Sequence, residues 1–191
     1  RDRVGRARGD LDPVRVPDVE PGAGKVQAND RKAAGHGLDD DGPSPVYTPL
    51  IMALFQKYQG YGTFFVTGRR VEEHPALVKA LLKAGHEVGN HSFSHPRVTQ
   101  IVQPSWEQEV ERTALDLDLL GCPRSQRLFR PPYSAYDQRL KTYLAHTHRR
   151  LVMWNIDSGD WRGLAAPAII NNVLNGVRNG SIIIFHDNDE N

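Results

Sequence analysis

Two histidines four residues apart, His91 and His95, and a run of three aspartates, Asp39, Asp40 and Asp41, are the residues of this chain best suited to hold a metal ion. A catalytic zinc typically takes three nitrogen or oxygen ligands and keeps a further position for water, so a His pair with one remote carboxylate meets that need. Spacing alone leaves open which aspartate serves. Other reactive or polar groups are clustered too: Arg130 to Tyr133, Asp157 with Asp160 and Trp161, and His186 with Asp187. In isolation a His pair at this spacing more often caps or covers a surface, and a triple Asp beside Gly42 and Pro43 reads as a solvated turn. The histidines His36, His74, His86, His146 and His148 have no comparable company.

The elements that carry these groups change the reading. Leu50, Ile51, Leu54, Phe55 and Tyr58 recur at helical spacing between Pro49 and Gly60. Residues 63–67 read as a buried strand, Leu77, Val78, Leu81 and Leu82 as a helix between Pro75 and Gly85, and 86–90 as a short strand. Ser105 and Gln108 make a capping-box pattern that opens a helix closing at Gly121, with Val110, Ala114 and Leu117 on its buried side. A strand near Leu128 and Phe129, a helix over 137–145, a strand over 151–156, a helix through Ile169 to Val177 and a strand over 182–185 follow. Repeated βα units imply a parallel sheet or barrel. Strands of such arrays share one direction, so residues just past their C-terminal ends gather on the face where these folds place active sites. His91 and His95, Arg130 to Tyr133, Asp157 to Trp161, and His186 with Asp187 each follow a predicted strand, and the aspartate run falls where a further strand would end.

Composition removes several alternatives. The 191 residues suit one domain with one core. A net charge of +1, from 24 basic and 23 acidic side chains, supplies no general field for gripping nucleic acid. The longest apolar stretches, of the Ile182 to Phe185 kind, fall far short of the ~18 residues a membrane-spanning helix needs. One cysteine, Cys122, excludes an internal disulfide and every multi-cysteine zinc or haem pattern. All 15 aromatic residues lie at or after Tyr47, whereas residues 1–46 hold 7 Gly and 5 Pro. This predicts a poorly ordered N-terminal tail over 1–36 and a folded domain over 37–191. The chain opens on Arg1 without a charged-then-apolar leader, as a processed or partial product would.

In order and spacing these segments resemble the five motifs of the polysaccharide deacetylase family, carbohydrate esterase family four. Asp40, Asp41, Gly42 and Pro43 resemble its Asp-Asp-Gly-Pro motif, and His91, Ser92, Phe93, Ser94 and His95 its metal motif. Arg130 to Tyr133, Asp157 to Trp161, and Ile184 to Asp187 match the other three, so the likeness covers residues 38–187. It implies an α/β fold, a distorted (β/α) barrel of parallel strands. The activity it implies is metal-dependent hydrolysis of N-acetyl groups on N-acetylglucosamine-containing polysaccharide, such as chitin, chitooligosaccharide or peptidoglycan, with release of acetate. By the same resemblance Asp41, His91 and His95 bind Zn2+, with Co2+ or another divalent ion able to substitute. Asp40 is then the general base and His186 the general acid, tuned by Arg130 and Asp160. The Tyr133 N–H holds the oxyanion, while Tyr133, Pro132, Trp161 and Ile184 line the acetyl pocket. An extracellular or cell-envelope setting follows, with no nucleic acid partner and no membrane span.

Departures from the family pattern shape the expectation. Lys32 to Asp39 make a poor first strand, because Gly35 and Gly37 cost backbone entropy and Asp39 takes an apolar residue's place. Asp39 also permits a slip in which Asp39 and Asp40 replace Asp40 and Asp41, although Gly42 and Pro43 favour the latter pair. The chain ends five residues after His186, where the family continues into a further helix. The expected barrel is therefore incomplete at its first strand and C-terminally truncated, and a catalytically inactive carbohydrate-binding relative is the alternative function.

Overall fold

The computed structural model describes residues 36–187 apart from 103 and 124–126. The predicted tail lies outside the described residues except for its last position, His36, which opens the first strand. In chain order the elements are β1 (His36–Asp40), α1 (Tyr47–Lys57), β2 (Gly62–Val66), α2 (Gly68–Glu73), α3 (Pro75–Lys83), β3 (Glu87–Asn90), α4 (Ser105–Leu119), β4 (Leu128–Phe129), α5 (Gln138–His146), β5 (Arg150–Leu151), β6 (Ile156–Asp157), α6 (Ala166–Leu174) and β7 (Ile182–His186). Every strand pairing is parallel, in the order β5-β4-β3-β2-β1-β7-β6.

The strand predicted over 151–156 is broken in two, and its halves, β5 and β6, lie at opposite ends of that order. Between them Val152 N donates to the Phe129 carbonyl at 2.9 Å and Asn155 N to the Ile182 carbonyl at 3.0 Å. In a flat sheet the outermost of seven strands would stand about 29 Å apart. The backbone from Leu151 to Ile156 reaches at most about 17 Å. The sheet therefore curls until residues 152–155 bridge its two edges. Because β5 and β6 do not pair with each other, the result is a distorted, incomplete (β/α) barrel.

The weak first strand forms because it is central. Gly37 to Asp40 pair with Gly62 to Phe65 on one side and with Ile183 to His186 on the other. Backbone bonding from two neighbours outweighs a poor intrinsic propensity. Its glycine also has a packing reason: a Cβ on Gly37 would stand 3.2 Å from the Phe55 ring, and one on the paired Gly62 would stand 2.7 Å from it. The two bare positions make room for α1 to lay Phe55 across the sheet.

Strand alternation sorts the core into layers. Leu38, Phe65 and Leu128 face the barrel interior with Val152 and Ile182. Phe64, Val66 and Val88 face outward beneath Val71, Val78, Leu81 and Leu117. A further cluster joins Trp106, Val110, Phe129, Leu140 and Leu144 under α4 and α5. The predicted capping box at α4 is not made. Ser105 is already the first helical residue, and Pro104 is the N-cap, its carbonyl taking the amides of Glu107 and Gln108 at 3.1 and 3.2 Å. The six-residue α2, too short for a periodic signal, is an element the sequence reading lacks. Among the described residues no helix is long and apolar enough to cross a membrane.

Candidate active site

Asp41 follows β1, and His91 and His95 follow β3, so parallel strands deliver all three to one end of the barrel. One ligand atom from each lies within 4.8 Å of the others. His95 Nε2 is 3.0 Å and His91 Nε2 3.3 Å from Asp41 Oδ1. His91 Nδ1 lies 2.8 Å from the Arg130 carbonyl oxygen. A carbonyl can only accept, so Nδ1 carries the hydrogen and neutral His91 turns its Nε2 lone pair toward the cluster. Two imidazole nitrogens and a carboxylate oxygen aimed at one point form the donor set of an open zinc-type site, so these residues fit a divalent cation. Burial works against charge on Asp41, yet the two imidazoles hold its carboxyl far below the usual range. Burial likewise works against charge on His91, but Asp40 and Asp41 raise its imidazole above the ordinary value.

Asp40 points inward beside this cluster. Arg130 Nη1 donates to its Oδ1 at 2.7 Å, and its Oδ2 is 3.9 Å from His91 Nε2. Arg130 is completely buried, its Cζ 4.3 Å from the centre of the Phe65 ring and 5.2 Å from that of Trp154, while its Nε donates to the Val152 carbonyl at 3.3 Å. Aromatic faces cover the planar guanidinium and leave its edge to make directional bonds. Burial raises the Asp40 carboxyl, and the charges of His91, Arg130 and His186 temper the rise. Asp40 and Asp41 face the cluster, whereas Asp39 pairs laterally with outward-facing Phe64, and both its carboxylate oxygens are buried without a hydrogen-bond partner.

On the other side of β1, His186 is the lateral neighbour of Asp40. Its Nδ1 lies 2.9 Å from Asp160 Oδ1, and its backbone N–H donates to Asp160 Oδ2 at 2.7 Å. Ser158 Oγ donates to the same Oδ1 at 3.0 Å. Burial would lower the His186 imidazole, but the bond to and charge of Asp160 outweigh it and the net shift is upward.

The expected pocket residues divide into two kinds. Pro132 and Ile184 are buried, Ile184 pairing with inward-facing Leu38, whereas Tyr133 and Trp161 are about half exposed. The Tyr133 ring centre lies 4.7 Å from that of His95 and 4.7 Å from Arg97 Cζ. Trp161 Nε1 donates to Asp157 Oδ1 at 3.2 Å. Two contributors lay outside the sequence reading. Arg97, which packs on Tyr133, carries no local pattern beyond standing two residues after His95. Thr48 donates through its hydroxyl to Asp187 Oδ2, and the Asp187 carboxylate fills the space a Cβ on Gly42 would need. This tie secures the loop that follows Asp41; burial pushes the Asp187 carboxyl up to about 6.

The sequence model of the family described as polysaccharide deacetylase matches residues 39–152. A chitooligosaccharide deacetylase of Sinorhizobium fredii is 35% identical over 152 residues, which cover 78% of this chain and 69% of the relative. A peptidoglycan-N-acetylglucosamine deacetylase of Bacillus cereus is 31% identical over 147 residues, 77% of this chain, and this chain spans about half the relative's length, 53%. Among solved structures, the family 4 carbohydrate esterase from Streptomyces lividans in complex with acetate is 31% identical, with a TM-score of 0.76 over 83% of this chain and 81% of that one. A match that runs from the aspartate pair through Arg130, backed by full-fold likeness to such relatives, makes this chain a member of the polysaccharide deacetylase family.

Proposed function

We propose that this chain is a zinc-dependent N-deacetylase that removes acetyl groups from N-acetylglucosamine units of a polysaccharide, chitooligosaccharide, chitin or peptidoglycan, and acts outside the cell or in its envelope. The observation that carries the proposal is the meeting of Asp40, Asp41, His91, His95 and His186 at one end of the barrel, with relatives that bear the names chitooligosaccharide and peptidoglycan deacetylase. Asp41, His91 and His95 would hold the cation, which when bound supplies Lewis acidity toward a water and the acetamide carbonyl.

The rest of the chemistry belongs to the chain. Asp40 takes a proton from the attacking water, and its burial-raised pKa makes it a better base near neutral pH than a solvated carboxylate. Arg130 keeps that carboxylate oriented through its 2.7 Å bond. The backbone N–H of Tyr133 donates to the oxygen on which negative charge develops. His186, held by Asp160, gives its proton to the departing nitrogen as the C–N bond breaks, leaving acetate and a free amine. Trp161, Tyr133, Pro132 and Ile184 wall the space for the acetyl methyl.

The test measures bound zinc and acetate release on N-acetylchitooligosaccharides and peptidoglycan. Asp40→Asn is expected to lower kcat by about 10²–10⁴-fold with zinc retained, and His91→Ala to lose zinc and activity together. Undiminished acetate release in both variants would remove the proposal.

A further inference from the structure

Building on the metal-site reading, we infer that Glu109 of α4 is a positioning residue that sets the loop carrying His91 and His95. The loop is strained: Ser92 and His95, neither a glycine, have φ of 67° and 58°, in the left-handed region. Such conformations persist only where the surroundings over-determine them. Its carbonyls are gripped by backbone, since Gly68 N donates to Ser92 O at 2.9 Å and Arg69 N to Phe93 O at 3.0 Å. Gly68 permits that approach, because a Cβ there would run into Phe93 and Thr113.

The amides depend instead on side chains. Asn90 Oδ1 accepts from Ser92 N at 2.8 Å, and Ser92 Oγ accepts from His95 N at 3.1 Å. Between these two points the amides rest on one carboxylate. Glu109 Oε2 accepts from Phe93 N at 3.1 Å and Ser94 N at 2.7 Å, and Oε1 accepts from Ser94 Oγ at 2.9 Å. An ionised acceptor makes each of these bonds stronger than a neutral one would. The platform is firm, for α4 buries Trp106, Val110, Thr113 and Leu117, and the Val110 carbonyl takes Asn90 Nδ2 at 2.8 Å. Adjacent residues of one packed helix therefore index both ends of the loop: Val110 through Asn90 before His91, and Glu109 before His95. Glu109 touches neither candidate ligand and acts through the backbone that aims them.

The test uses the full chain stripped of metal and titrated with zinc(II) against a competing chelator, and with cobalt(II) to read its visible spectrum. It is run where circular dichroism shows every variant folded. Glu109→Ala is expected to weaken zinc binding by about 10–100-fold and to change the cobalt bands. Glu109→Gln, which keeps an oxygen for both amides, stays within about threefold of the parent, as does Gln108→Ala on the exposed side of the same helix. Parent-like affinity and spectrum in Glu109→Ala overturn the inference, and so does an equal loss in Gln and Ala, which would mark a charge effect without a positional one. A parent chain that takes up neither ion brings down the metal-site reading itself, an outcome distinct from both.

Discussion

Helices α4 and α6 each feed a strand whose end supplies the site, α4 leading to β4 and Arg130, α6 leading to β7 and His186, yet the two are supported in different ways. α4 buries Trp106, Val110, Thr113 and Leu117. α6 buries none of its residues, and its Ile170 and Leu174 are 45% and 64% exposed. The groups they present differ in the same sense: Arg130 is enclosed by Phe65 and Trp154, whereas His186 is oriented by Asp160 from a short 3-10 turn flanked by left-handed Gly159 and Gly163. The Asp40–Arg130 flank is thus held by packing around a charge, and the His186–Asp160 flank by a few hydrogen bonds near the surface. Flanks with little buried apolar contact open locally at low cost, so the His186 side of the site is the one expected to adjust.

The largest test of this contrast removes the buried cation. Arg130→Met leaves Asp40 enclosed without its partner and is expected to cost about 3–5 kcal/mol in urea unfolding; a loss below about 1 kcal/mol would show that packing on this flank does not depend on the pair. One substitution made on both helices comes next. Leu117→Ala on α4 should cost about 2–5 kcal/mol and Leu174→Ala on α6 no more than about 0.5 kcal/mol, so equal melting shifts would erase the contrast. Asp39→Leu replaces a carboxyl whose oxygens are buried without hydrogen-bond partners and should raise stability by about 1–3 kcal/mol. A lowered melting temperature there would show that the acid has a partner after all. The mildest change is Asp160→Asn. As the proposed donor, His186 acts only while protonated, so turnover should fall as pH rises through its pKa; because Asp160 raises that pKa, the amide should move the alkaline limb of the kcat profile toward lower pH. An unmoved limb would detach His186 from proton donation.

Much of the architecture is legible in the sequence because apolar spacing is a local signal. Val78 and Leu81, Val110 and Leu117 mark helix faces that pack as their periods predict, whereas on α1 Ile51 and Phe55 pack against the core and Leu50, Leu54 and Tyr58 stay exposed. What escapes is set by partners distant in the chain. Residues 151–156 read as one strand, since nothing within six residues says that the first will pair with β4 and the last with β7. Gly35, Gly37 and Asp39 argue against a strand that two neighbours nevertheless hold in place. Glu109 looks like any half-buried acid of an amphipathic helix, and only the loop folded against it gives its carboxylate three donors.

The sequence by itself determined which side chains follow which strands, because residue type and order are written in it and a parallel array carries strand ends to a common face. Tertiary structure decided which way each of three identical neighbours is turned. A strand turns successive side chains to opposite sides, so lateral pairing with Phe64 and Phe65 sends Asp39 out of the barrel and Asp40 into it, and Asp41, itself left-handed with φ of 75°, turns to the two imidazoles.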